Sequence, residues 1–181
     1  MNEGLIPRRY AKALYKVALE RKSDSRLYEL MTNLADAYSA SPMLRDIIAN
    51  PFVDVKDKTD AISAAAKANA EDITFADFLK LLITNRRIEL CGDIAYAYIS
   101  YYREEHNIKR VEVVSAAPLD SSVEKRIKSI IEQHLNGGSM EFSTKVDSDL
   151  IGGFVITVDN ERLDASLKNQ LKEIRFNLLN N

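Results

Sequence analysis

The chain lacks most of what would staple it, anchor it or make it an enzyme. Its 181 residues include one cysteine, Cys91, which excludes an intramolecular disulfide and fits a reducing compartment. Tryptophan is absent, and glycine and proline number only six and four, with no internal repeat or low-complexity linker. No uncharged apolar run reaches the ~18 residues needed to cross a bilayer, so membrane association has to come through a partner or a surface. Neither sign of charge is in excess. Twenty-five basic against 27 acidic residues leave −2, which gives no electrostatic reason to expect nucleic acid as a partner.

Signatures of chemistry are equally sparse. There is no phosphate-binding loop of the G-x-x-x-x-G-K-[ST] type. The pairs Gly137-Gly138 and Gly152-Gly153 lack its spacing and its lysine, and read as turns or points of close approach. His106 and His134 have no cysteine or second histidine at metal-ligand spacing. Asp54/Asp57 and Asp147/Asp149 suit helix caps and turns rather than an acid–base pair. Cys91 lies on an apolar helical stripe, the position of a buried structural thiol. Neither a cofactor, a metal nor a small-molecule substrate is expected.

What is present is patterned apolar sequence. A hydrophobic fraction of 46% with 29% charge is ordinary for a soluble globular protein, and the length suits one large domain or two small ones. Between Leu5 and Leu19 lie Arg8, Arg9, Lys12 and Lys16 with no acid. A transit peptide has that composition, but the segment reads better as a first helix with a basic solvent face. That helix, Pro7 to about Arg21, sets Tyr10, Ala13, Leu14 and Val17 on one side. A second runs from Asp24 to Ala40. A third follows Ser41-Pro42, as N-cap and first helical residue, and stops before Asn50-Pro51. Asp54 is placed to cap a fourth reaching about Asn69, and Thr74 to cap a fifth, Phe75 to Thr84. A sixth runs from Ile88 to His106.

Past Asn107 the period changes. Val111 and Val113 alternate with charge as a strand does; Val123, Ile127, Ile130 and Ile131 return to helical spacing, with Gly137-Gly138 as the stop. Met140, Phe142, Thr144 and Val146 form a second strand, and Phe154 to Val158 a third, more buried one. A last helix is expected after Asp164, with Leu167, Leu171, Ile174 and Leu178 on one face. The expected fold is α+β: a six-helix bundle over residues 1–106, then a smaller mixed α/β domain over residues 107–181.

Two helices carry surplus apolar surface. Stepped at 100° per residue, the apolar positions of the first cover roughly 200°, whereas docking on one core needs a stripe of about 100°. On the fifth, Phe75, Phe78, Leu79, Leu82 and Ile83 fill one broad side, with Leu81 nearly opposite. Two readings fit. Either the pair forms a groove for an amphipathic partner helix, or neighbouring helices cover both faces.

Several stretches match one family together. Arg8 to Ala18 resembles the R-x-Y-A-x-A-L-x-x-x-A opening of ATP synthase delta subunits, the family of the mitochondrial oligomycin-sensitivity-conferring protein. Asn50-Pro51-Phe52-Val53 with Lys56 and Lys58, Phe78 to Arg87, and Val114 to Leu119 resemble further family segments, in order. The most specific is Asp149 to Ile156, continuing to Leu163-Asp164-Ala165-Ser166 and Leu171. Asp159-Asn160 and Ala165 depart from positions where glycine is common in the family, which bears on local turns only.

The resemblance implies a non-catalytic stator subunit of a proton-driven ATP synthase. Its helical domain would bind amino-terminal helices of the alpha subunits in a groove between the first and fifth helices. By position the contacts are Tyr10, Ala13, Leu14 and Val17 with Phe75, Leu79, Leu82 and Ile83, and Tyr10 and Leu79 are the expected anchors. The C-terminal domain would meet the carboxyl-terminal ends of the b subunits. The protein would sit peripherally on the cytoplasmic side of a bacterial inner or plasma membrane, through the complex alone. Rival readings are a carboxylate or glycine-loop enzyme, a helical nucleic-acid binder and a free-standing adaptor.

Overall fold

The structure, a computed structural model, describes residues 4–134, 138–159 and 161–179; the side chains of residues 134, 173–175 and 177–179 fall outside that description. Among the described residues the fold is α+β, with eight α-helices and one four-stranded mixed sheet. The chain parts into two compact units between Glu104 and Glu105.

The first unit holds α1 (Leu5–Glu20), α2 (Asp24–Ala40), α3 (Pro42–Ala49), α4 (Val55–Ala66), α5 (Ile73–Thr84) and nearly all of α6 (Cys91–Glu105). A short 3-10 turn, Ile88–Leu90, precedes α6, where the sequence alone suggested one continuous helix. α2 buries Leu27, Leu30, Met31, Leu34 and Tyr38, and α6 buries Cys91, Ile94, Ala95, Tyr98 and Tyr102. These are the positions that helical periodicity places on one face. α4 stops at Ala66, earlier than its pattern suggested, because Lys67 turns left-handed at φ 56° and the Ala68 N–H closes back on the Ser63 carbonyl.

Capping differs from expectation. Ser41 and Asp54 stand at the N-cap positions of α3 and α4, but neither side chain bonds to the helix. α5 begins at Ile73, so Thr74 lies inside its first turn, where its hydroxyl is 3.0 Å from that of Ser23. Asp72 holds the cap position, yet its carboxylate is committed to the Arg26 guanidinium and the Asn69 N–H.

The second unit runs β1 (Ile108–Ser115), α7 (Ser121–His134), β2 (Ser139–Val146), β3 (Gly153–Val158), β4 (Glu161–Ser166) and α8 (Leu167–Leu179). The strand order is β2-β1-β3-β4; β1 and β2 are parallel, with α7 lying between them in sequence, and the other pairs are antiparallel. Val111 and Val113 pack with Ile127 and Ile131 of α7 to form the core of this unit. Of the expected helix stop Gly137-Gly138, Gly137 lies outside the described residues, and Gly138 directly precedes β2.

β4 was not expected. Leu163-Asp164-Ala165-Ser166 read as a helix start, whereas residues 161–166 pair along β3, with Val158 opposite Glu161. The true cap of α8 is Ser166, whose Oγ accepts the Asn169 N–H at 3.2 Å. Asp164 acts one step back, accepting both the N–H and the hydroxyl of Ser166. Gly153 is required here: its φ is +78°, and a Cβ would strike the Ala165 carbonyl oxygen.

Candidate functional site

α1 and α5 lie side by side and antiparallel, and polar ties join them at both ends. The Arg21 guanidinium meets Asp77 at 2.9 Å, near the end of α1 and the start of α5. At the other end the Tyr10 hydroxyl accepts from Asn85 Nδ2 at 3.0 Å and from the Arg87 guanidinium at 3.2 Å. Arg87 also stands 5.7 Å from the centre of the Tyr10 ring, within cation–π range. Arg21, followed by Lys80, holds the Asp77 carboxyl below the usual carboxylate range.

Between these ties the helices stay open. Tyr10, Ala13, Leu14 and Val17 of α1 face Thr74, Asp77, Phe78 and Leu81 of α5 across a depression of about 160 Å³. A second, of about 430 Å³, continues past the start of α1 between Ile6, Arg9 and Arg87, sharing Tyr10, Ala13 and Leu81 with the first. Val17 and Leu81 stand on the sides of the first, 39% and 50% exposed. Phe78 and Leu14 are buried beneath it as a floor. An elongated apolar trough bounded by two helices suits the apolar face of a third.

The four residues expected from α1 all line this trough. The α5 set is corrected. Phe75, Leu79 and Leu82 are sealed in the core, at 2% exposure or less, and Ile83, half-buried, is not among the lining residues. Leu79 is therefore a core residue and not an anchor. The helix carries two adjoining stripes at i, i+3, i+4, i+7. One, Phe75, Phe78, Leu79 and Leu82, fills the core; the other, Thr74, Asp77, Phe78 and Leu81, faces the trough. The available signal was Leu81 itself, a lone large apolar residue opposite an arc already wide enough for the core.

Elsewhere the chemistry stays closed. Cys91 is fully buried, and burial pushes its thiol up to about 12. Among the described residues no group of three His, Cys, Asp or Glu could hold a metal ion. A further depression, between the start of α2 and the α4–α5 connection, is occupied by the Arg26–Asp72 ion pair. No described helix is long and apolar enough to cross a membrane.

Comparison with known proteins gives one consistent answer. The family model for the ATP synthase delta (OSCP) subunit matches residues 6–178. The chain is 38% identical over 181 residues to ATP synthase subunit delta of Parabacteroides distasonis, covering 100% of this chain and 99% of the relative. It is 35% identical over 176 residues to that of Bacteroides thetaiotaomicron, covering 97% and 94%. Its fold matches a chain in the solved structure of the Toxoplasma gondii mitochondrial ATP synthase hexamer with a TM-score of 0.72, at 21% identity, over 97% of this chain and 98% of that one. On a match that spans nearly its full length, this chain belongs to the ATP synthase delta (OSCP) subunit family.

Proposed function

We propose that this chain is the stator link of its ATP synthase, a subunit that does no bond chemistry and holds the catalytic head against rotor torque. In this reading α1–α6 form a six-helix bundle whose α1–α5 trough clasps an amphipathic amino-terminal helix of an alpha subunit. The C-terminal unit engages the carboxyl-terminal ends of the b subunits. The protein is then peripheral, on the cytoplasmic side of a bacterial inner or plasma membrane, and reaches the membrane only through the complex.

The observation that carries this reading is the open trough between two helices whose own core is already filled. Tyr10, Ala13, Val17 and Leu81 remain available beyond what packing uses. A helix seated there would bury an area on the order of 1,200–2,000 Å², enough for a stable contact. On the second unit, Ile151, Leu163, Leu167 and Leu171 are exposed apolar residues around β4 and α8, which supports a further protein contact there.

The test is Leu81→Asp. Its side chain is half exposed, so the helical content should survive while calorimetric binding of the cognate alpha subunit's amino-terminal segment is lost. Wild-type affinity in the variant would overturn the assignment of the trough.

A further inference from the structure

The two ends of the trough differ in charge. From Leu5 to Leu19 α1 carries basic residues and no acid. Arg9, on the rim at the start of α1, makes no ion pair with any described residue. Arg87 joins it from beyond the end of α5, its guanidinium tied among the described residues only to the neutral Tyr10 hydroxyl and ring. At the far end Arg21 is neutralised by Asp77, which also draws Lys80 to 3.5 Å. The site is an apolar channel with two arginines facing no described acid at its mouth and, at its tail, an acid that Arg21 and Lys80 share.

Resting on the helix-docking reading above, we propose that the occupant is an amphipathic helix bearing a carboxylate-rich turn, seated between Arg9 and Arg87. Charge thereby fixes the direction in which the helix lies. A carboxylate at the mouth meets two exposed guanidinium groups that pair with no acid among the described residues, so pairing requires little desolvation. A helix laid the other way would bring that carboxylate to Asp77, where it would compete for Arg21 and Lys80, and would leave both mouth arginines unmatched. The apolar floor supplies affinity, and the mouth supplies orientation and the salt dependence of encounter.

The experiment uses the full chain and a synthetic peptide of the cognate alpha subunit's amino-terminal segment. Calorimetric titrations compare wild type, Arg9→Glu and Lys56→Glu, the last an exposed α4 site carrying the same charge change away from the trough. Arg9→Glu should weaken binding roughly three- to ten-fold at low salt, and the gap should close at high salt. Lys56→Glu should leave affinity within about two-fold. A nitroxide on the peptide's acidic turn should broaden the amide resonances of Ile6 and Arg9 before those of Val17 and Arg21. Equal effects of the two substitutions, or broadening first at Val17 and Arg21, would overturn the inference while leaving the trough as a helix site. Failure of the peptide to bind wild type at all would remove the trough reading and this inference together.

Discussion

The ring of Tyr38, on α2, lies against the α-carbon of Gly92 on α6: a Cβ added there would stand 2.9 Å from Cε1 and 3.1 Å from Cδ1. Glycine is needed at this point for close approach, not for backbone freedom, since it sits in regular helix. Gly92→Ala improves helix propensity by up to about 1 kcal/mol, but overpacking a buried aromatic typically costs about 1–3. The expected net loss is about 1–2 kcal/mol, read from urea unfolding. Tyr38→Phe should behave oppositely. That hydroxyl is buried with no hydrogen-bond partner among the described residues, so removing it should leave stability unchanged or slightly raised.

Much of the helical unit was legible in the sequence because its signal is local. The expected limits of the second helix, Asp24 and Ala40, coincide with those of α2, and the buried stripe of α6 is the one that its period gives. α5 shows where such reading ends. Its mean character is apolar on nearly every side, so periodicity cannot say which arc meets the core; the surrounding helices decide that. β4 was illegible for a different reason. Glu161-Arg162-Leu163-Asp164 is polar edge strand, held by pairing to β3, and only the partner strand reveals it. Ile174 and Leu178, expected on the apolar face of α8, have side chains outside the described set.

Leu79→Asp separates floor from core. Leu79 is 2% exposed, so a carboxylate there meets no solvent and no partner, a loss of several kcal/mol that a domain of this size does not absorb. The variant should lose cooperative unfolding and much of its helical circular dichroism. A folded Leu79→Asp protein that merely failed to bind its partner would return Leu79 to the trough and contradict the core described above.

Acid should loosen the first unit where Asp72 meets Arg26. Asp72 accepts two bonds from Arg26, at 3.0 and 3.1 Å, and one from the Asn69 N–H, and Arg26 above all holds its carboxyl below the usual range. A depressed carboxylate contributes stability that is fully present above its unfolded value of 3.8 and is lost as pH falls through the folded value. Stability measured from pH 6 downward should therefore begin to fall near pH 4. Arg26→Ala should flatten that fall and lower stability only modestly at neutral pH, because the arginine is solvent-exposed and its charge is screened. An unchanged acid limb in the variant would assign the acid sensitivity to other carboxylates.

Cys91 offers a direct readout of the packing of α6. It is completely buried, and desolvation alone pushes its thiol up to about 12. At pH 8 a thiol so displaced stays protonated, whereas a free thiol near 8.5 is about a quarter ionised. Burial also removes the approach path, so both factors act against reaction. Native protein should resist a thiol-specific disulfide reagent, and labelling should rise along the urea unfolding curve, reporting the opening of α6 rather than chemistry at a site. Full labelling within minutes under native conditions would mean that the α2–α6 contact opens readily. Gly92, held against Tyr38 one residue further on, would then tolerate alanine as well.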